Sequence, residues 1–132
     1  MNCELITPIL TIFNENNEFD YEGNKKLVEH LIKNDIDGIL VLGSTGEFPA
    51  ITLEEKKNFI KFYSEIVRNR VKLFVGTGAI NDKDTIELSN YAFNYDVDGV
   101  LIIPPYYFGM SQEEGFKYYA KIAENVKGNI YI

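Results

Sequence analysis

Apolar and polar residues follow two different periods along this chain. Short, continuous apolar runs are typical of strands buried on both faces of a parallel sheet. Between them, apolar residues recur at helical spacing beside charged ones. The predicted strands cover residues 4–9, 38–42, 71–75, 97–103 and 130–132, and the predicted helices cover 21–34, 53–67, 82–95 and a segment from 112 onward. The alternation of predicted strands and helices along the chain predicts an α/β fold.

Polar residues mark where the helices begin. Asp20 is expected to cap the first helix, and Asn81 or Asp82 the third. Two segments match the capping-box pattern: Thr52-Leu53-Glu54-Glu55 and Ser111-Gln112-Glu113-Glu114. In a capping box, the hydroxyl of the first residue and the carboxylate of the fourth each accept a hydrogen bond from the other residue's backbone N–H. The fourth helix is expected to bury a face made of Phe116, Tyr119, Ala120 and Ala123.

A short repeat narrows the fold class. Ile36-Asp37-Gly38 and Val97-Asp98-Gly99 each precede an apolar run, at the second and fourth predicted strands. Equivalence between alternate strands is expected in a (β/α) barrel, where alternate strands fill the same layer. A doubly wound sheet also alternates strands and helices, so the repeat favours the barrel without excluding that fold.

The distinctive residues follow the ends of the predicted strands: Thr7-Pro8, Gly43-Ser44-Thr45-Gly46-Glu47, Gly76-Thr77-Gly78 and Pro104-Pro105-Tyr106-Tyr107. In a βα barrel this end of the strands binds ligands. The two glycines around Ser44 and Thr45 are expected to let the backbone turn tightly. The hydroxyls and free N–H groups between them suit a small carboxylate. A purely structural turn remains the alternative.

Composition excludes several classes of protein. A net charge of −7 argues against nucleic acid, which requires a basic surface. The chain has no membrane-length apolar stretch and no signal segment at its start, so a cytoplasmic protein is expected. Cys3 is the single cysteine and His30 the single histidine, so neither a cysteine cluster nor a histidine-rich zinc site is possible.

Taken together, these motifs resemble the N-terminal half of the dihydrodipicolinate synthase / N-acetylneuraminate lyase family of class I aldolases. The resemblance runs from Ile6-Thr7-Pro8 through Gly43-Ser44-Thr45-Gly46-Glu47 to Pro104-Pro105-Tyr106-Tyr107 and covers essentially the whole chain. It implies that residues 1–132 are the incomplete N-terminal half of a (β/α)8 barrel, about four βα units and the start of strand five. It also implies a homo-oligomer that needs no metal and no cofactor.

The resemblance implies that a lysine forms a Schiff base with pyruvate and that the imine serves as an electron sink. Ser44 matches a hydroxyl that relays protons during imine formation. Thr45 matches the residue that binds the pyruvate carboxylate. Tyr107 matches a catalytic tyrosine that reaches across a dimer interface into the neighbouring site. Each has a simpler alternative as a turn or interface residue.

Two departures from the family pattern affect the expected activity. The family's imine-forming lysine lies beyond the fifth strand, whereas the single lysine on a predicted strand here, Lys72, lies at the strand's amino end. We therefore expect no aldolase activity from these 132 residues alone. Phe48 and the Ser44-Thr45 pair favour a sugar-acid lyase over a lysine-pathway synthase, but only slightly.

The predicted function is therefore a pyruvate-dependent lyase or synthase of the dihydrodipicolinate synthase type. N-acetylneuraminate or 2-keto-3-deoxy sugar-acid lyase is the alternative within the family. A second alternative is a self-assembling half-barrel that binds a small carboxylate without turnover. A nucleotide- or flavin-binding domain is disfavoured because Glu47 puts negative charge where phosphate would bind.

Overall fold

A parallel five-stranded sheet forms the centre of the computed structural model, which describes residues 3–132. Each strand pairs in parallel with the next in the chain. The strands are β1 (Ile6–Pro8), β2 (Gly38–Val41), β3 (Lys72–Gly76), β4 (Gly99–Leu101) and β5 (Ile130–Tyr131). The α-helices are α1 (Tyr21–Lys33), α2 (Leu53–Val67), α3 (Asp82–Phe93) and α4 (Gln112–Asn125). Residues 1 and 2 of the predicted domain lie outside the described residues.

The helices begin where the local polar signals predicted. Asp20 accepts a hydrogen bond from the Gly23 N–H at the start of α1, and Asn81 caps α3. Both predicted capping boxes form, at Thr52 before α2 and at Ser111 before α4. Across the described part of the chain, no helix has the length and apolar character needed to cross a membrane.

The two faces of the sheet are buried to different degrees. Side chains directed at the helices are completely buried, including Ile39, Val41, Val75 and Val100. Their neighbours on the opposite face surround a cavity of about 220 Å³, lined by Ile6, Leu40, Phe74, Leu101 and Tyr131 and apolar apart from the tyrosine hydroxyl. Because successive side chains of a strand point to opposite faces, this second set lines the inner face of the partial barrel.

The prediction for the buried face of α4 was wrong in part. Tyr118 and Ile122 are the helix residues that are buried, whereas Phe116 is 75% exposed and Ala123 is exposed. Both sets recur at helical spacing, so the sequence allowed either face. The helix settles with Tyr118 inward because its hydroxyl meets Thr85 on α3, at 3.1 Å.

The Asp-Gly repeat has a local structural cause. The Asp37 carboxylate accepts a hydrogen bond from the Leu5 N–H at 2.7 Å, and the Asp98 carboxylate accepts one from the Leu73 N–H at 2.8 Å. Each aspartate thus ties the start of its own strand to the neighbouring strand. The equivalence also extends two residues upstream, where Asp35 and Asp96 both have positive φ, 58° and 52°. Aspartate tolerates this left-handed conformation better than most residues.

A buried amide joins the β1–α1 connection to α2. Asn24 is completely buried, and its Oδ1 accepts hydrogen bonds from the Ile12 N–H and the Tyr63 hydroxyl, at 3.0 and 2.7 Å. Its Nδ2 donates to the carbonyls of Ile12 and Asp20, at 2.8 and 2.7 Å. Burial also raises the pKa of Tyr63, which keeps that hydroxyl protonated as a donor.

We predict that Asn24→Leu destabilises the chain by at least about 3 kcal/mol, because it leaves several buried polar groups unpaired. Tyr63→Phe is the matched control, since it removes one hydrogen bond and should cost about 1 kcal/mol. Urea unfolding of the three proteins measures both values. Equal costs for the two variants would contradict this account of Asn24.

Candidate functional site

A small cavity opens at the carboxyl ends of the strands, where the sequence predicted a ligand site. Its volume is about 190 Å³. Ligand pockets for drug-sized molecules usually measure roughly 300–1,000 Å³, so this space suits a smaller compound. The lining comprises Pro8, Leu40, Leu42, Gly43, Ser44, Thr45, Phe48, Gly76, Gly78, Leu101 and Ile103.

The turn after β2, which carries the Ser44 and Thr45 hydroxyls, obtains its shape from residues other than its glycines. Gly43 has an extended backbone, with φ −82° and ψ −175°, and none of the described glycines has positive φ. Leu42 and Glu47 adopt the left-handed conformation instead, at φ 56° and 57°. Between them, Ser44–Gly46 forms one turn of 3₁₀ helix, and Phe48–Ala50 forms another after Glu47. The expectation that the glycines provide the turning freedom was therefore wrong.

The glycine that this turn requires lies on the neighbouring strand. A Cβ at Gly76 would lie 2.1 Å from the Leu42 carbonyl oxygen, far inside contact distance. The left-handed backbone of Leu42 therefore depends on a missing side chain on β3. On its other side, the turn is tied to the segment after β1, because the Thr11 hydroxyl donates to the Gly46 carbonyl at 2.7 Å.

Ser44 and Thr45 are held at the cavity with their polar groups available. Both line it and both are exposed. Within residues 3–132, neither hydroxyl makes a hydrogen bond to the protein, whereas Thr11 and Thr77 nearby both do. The N–H groups of Gly46 and Glu47 are already used by the carbonyls of Gly43 and Ser44. The turn therefore offers two free hydroxyls to a small acceptor.

Thr77, which the sequence grouped with the strand ends, belongs to the interior. It is completely buried, and its hydroxyl lies 2.7 Å from that of Ser89. Ser89 in turn donates to the Thr85 carbonyl, and the Thr85 hydroxyl contacts Tyr118. This chain of hydroxyls joins β3 to α3 and α4. Burial raises the pKa of Tyr118, despite the opposing hydrogen bond to Thr85.

Tyr107 lies away from the cavity of its own chain. It is 74% exposed, and its ring packs edge-on against Phe108 with centroids 4.8 Å apart. Tyr106 packs edge-on against Phe48, at 5.6 Å. The structure thus brings Ser44 and Thr45 together and leaves Tyr107 apart from them.

Five lining residues were not identified as site components from the sequence: Leu40, Leu42, Phe48, Leu101 and Ile103. Ile103 could have been found from period-two alternation, because it follows Leu101 on the same face. Leu42 was treated only as part of the apolar run, and Phe48 only as a clue to the second substrate. Their contacts with the cavity depend on the left-handed residues described above.

Among residues 3–132, no titratable side chain lines the cavity. All eleven lysines are described, and they lie on helices, in the connection after α4, or at the amino end of β3. Lys72, the one on a strand, pairs with Glu4 at 2.6 Å, which raises the lysine's pKa. The described site can therefore hold a carboxylate by hydroxyl donors, but it supplies neither an amine nor a general base.

Comparison with known proteins gives a consistent result. The model of the Dihydrodipicolinate synthetase family matches residues 2–132. The 4-hydroxy-tetrahydrodipicolinate synthase of Coxiella burnetii is 40% identical over 121 residues, which cover 92% of this chain and 42% of that protein. The putative 2-dehydro-3-deoxy-D-gluconate aldolase YagE of Escherichia coli is 38% identical, over 92% of this chain and 40% of its own length.

Solved structures share the fold. The crystal structure of YagE in complex with pyruvate superposes with a TM-score of 0.91 at 36% identity, covering 96% of this chain and 43% of that one. The N-acetylneuraminate lyase of Mycoplasma synoviae gives a TM-score of 0.89 at 32% identity, covering 96% and 45%. The prediction of a partial barrel is confirmed. The chain spans less than half the length of the relatives that it matches.

We predict that Gly76→Ala destabilises the chain by about 2 kcal/mol or more, because the added methyl must displace the Leu42 carbonyl. Gly43→Ala is the control from the same cavity. Its added Cβ would meet only the Leu40 side chain at 3.5 Å, so the change should stay within about 1 kcal/mol. Chemical unfolding compares the two variants, and the opposite ranking would contradict the described approach of the two strands.

Proposed function

The chain belongs to the dihydrodipicolinate synthetase family, and we propose that it forms the N-terminal part of a pyruvate-dependent lyase or synthase. The observation that carries the proposal is the small cavity at the strand ends, lined by the free hydroxyls of Ser44 and Thr45. A three-carbon 2-oxo acid offers a carboxylate to those donors and a small apolar body to the rest of the lining.

Thr45 is proposed to bind the pyruvate carboxylate through its hydroxyl, and Ser44 to pass protons during imine formation. Binding a carboxylate requires a hydroxyl that is free to donate, and passing protons requires a hydroxyl within hydrogen-bond reach of the reacting groups. Tyr107 is proposed to act in the site of a neighbouring subunit of a homo-oligomer. Its exposure and its separation from its own cavity fit a role in a second subunit better than a role in its own.

The imine-forming lysine is proposed to lie in a part of the barrel outside this sequence. This follows from where the eleven lysines lie, since none is at the carboxyl end of a strand. An imine between a lysine and pyruvate withdraws electrons and allows a carbon–carbon bond at the adjacent carbon to form or break. The described residues would then bind and orient the 2-oxo acid for that lysine.

A sugar-acid lyase is the second candidate within the family. The Ser44-Thr45 pair and the aromatic Phe48 favour it, and so does the similarity to YagE and to the Mycoplasma lyase. The Coxiella synthase is equally similar, so 4-hydroxy-tetrahydrodipicolinate synthase remains the first candidate. A carboxylate-binding half-barrel without turnover is distinguished from both by the following experiment.

We predict that the 15.1 kDa chain gains no mass when it is treated with pyruvate and borohydride. Borohydride reduces an imine to a permanent adduct, so intact mass spectrometry reports whether a lysine has reacted. A longer protein that contains this chain and the rest of the barrel should gain one pyruvate. If that longer protein does not react, the carboxylate-binding half-barrel without turnover becomes the better explanation. A single adduct on the 132-residue chain would refute the placement of the lysine outside this sequence.

We predict that Thr45→Val raises the pyruvate dissociation constant by about tenfold or more. A hydrogen bond to a charged group contributes about 1.5–3 kcal/mol, and 1.4 kcal/mol corresponds to a factor of ten. Thr45→Ser, which keeps the hydroxyl, should bind within about threefold of the original chain. An NMR titration of the ¹⁵N-labelled chain measures all three. Equal affinity of the valine variant would remove Thr45 from the carboxylate site.

A further inference from the structure

The inner face of the sheet is an apolar surface that the described chain leaves partly uncovered. Each strand contributes one side chain to its cavity: Ile6, Leu40, Phe74, Leu101 and Tyr131. The surface therefore runs across the whole width of the sheet. Apolar residues at both of its margins are exposed, with Leu5 beside β1 at 60% and Ile132 after β5 at 79%. Exposed apolar areas of this kind mark surfaces that contact another polypeptide.

The charges on this face compensate each other. Glu4 and Lys72 lie two positions before Ile6 and Phe74, so strand alternation places them on the same face. Their side chains form an ion pair at 2.6 Å. Along the five described strands, no other position on this face carries a charged residue. An unpaired charge would oppose burial against another chain, and this face presents none.

The two open edges of the sheet are complementary. β1 lies at one edge and β5 at the other, and all five strands are parallel. A two-fold axis along the strands would bring β1 of each copy next to β5 of the other, so one pairing uses both edges. Four βα units with a short fifth strand are also about half of a (β/α)8 barrel. A second copy of this chain therefore fits the open face.

The inner face borders directly on the ligand cavity. Leu40 and Leu101 line both the inner cavity and the cavity at the strand ends. A chain that covers the inner face would exclude water from that side of the ligand cavity. Hydrogen bonds from Ser44 and Thr45 to a carboxylate are stronger where water is excluded.

We infer that the inner face of the 132-residue chain is an interface for a second copy of the same chain, which also closes the inner side of the ligand cavity. The docking is argued from the open face and its edges alone. Its effect on the ligand rests on the proposed function, since it concerns pyruvate at Ser44 and Thr45. In a longer protein the strands after residue 132 would occupy this place, so the inference concerns the chain of this length.

Sedimentation equilibrium over a series of chain concentrations tests the docking. The chain should associate to at least twice its mass of 15.1 kDa. Ile6→Lys and Tyr131→Lys each add a positive charge to the inner face, from opposite edges, and each should halve the mass of the assembly. Phe116→Lys makes a similar change at a 75% exposed position on α4 and should leave the mass unchanged. Circular dichroism shows whether each variant is folded, and Tyr131 is half-exposed, so its replacement disturbs the fold least.

Pyruvate titrations at a low and a high chain concentration test the closure of the ligand cavity. The assembled chain should bind pyruvate about fivefold tighter or more than the dissociated chain. Tyr131 does not line the ligand cavity. In Tyr131→Lys the dissociation constant should therefore equal the weaker value at both concentrations. By linkage, pyruvate should strengthen the association of the original chain.

The possible results separate the docking from the proposed function. A chain that sediments at 15.1 kDa at every concentration overturns the inference and leaves this face to the strands of a longer protein. An assembly that persists in both sheet variants, or that Phe116→Lys dissociates, uses another surface and also overturns it. If the chain associates but pyruvate binds equally at both concentrations, the closure of the cavity is wrong. If pyruvate binds at neither concentration, the proposed function fails, while sedimentation still decides the docking.

Discussion

The close approach of β2 and β3 at their carboxyl ends is the constraint on which the site depends. Leu42 turns its carbonyl toward β3, and the chain accommodates that oxygen only because residue 76 is a glycine. From this point, the left-handed backbone of Leu42 redirects the chain into the 3₁₀ turn that carries Ser44 and Thr45. The hydroxyls reach the cavity because of a missing side chain on the neighbouring strand.

Some polar side chains form all their hydrogen bonds within the protein, whereas others remain free to bond a ligand. Asn24 makes four hydrogen bonds, and the hydroxyls of Thr77, Ser89 and Thr85 bond one another or nearby carbonyls. Within residues 3–132, no buried side-chain nitrogen or oxygen lacks a partner. Ser44 and Thr45 differ because they are exposed at the cavity and unbonded. This contrast, rather than residue type, distinguishes the two hydroxyls that we propose to bind a ligand from the structural ones.

One face of the sheet is fully buried against the helices, and the other face is partly open. The helix-facing residues Ile39, Val75 and Ile102 are fully buried, whereas Tyr131 on the inner face remains 48% exposed. The inner cavity of about 220 Å³ is entirely apolar in its lining residues apart from the tyrosine hydroxyl. In a complete (β/α)8 barrel, such inner side chains pack against layers from the remaining strands. The open face is therefore what half of that barrel should present.

The sequence by itself determined the elements, their order and the end of the sheet at which the site lies. Capping residues such as Asp20, Thr52 and Ser111 act on backbone groups within a few positions, so their effect can be read locally. Apolar runs likewise identify the strands, whose helix-facing side chains are fully buried. The family resemblance, which the family match confirms, rested on short motifs at the strand ends.

Only the tertiary structure decided which residues turn the chain, which hydroxyls remain free and which side chains meet from different elements. The left-handed Leu42 leaves no room for a side chain at Gly76 on another strand, and the buried Thr77 hydroxyl has Ser89 as its partner. Lys56 reaches Phe48 from a different element. Each of these facts depends on contacts between segments distant in sequence or on a choice between two equally apolar faces. Local periodicity carries no information about either.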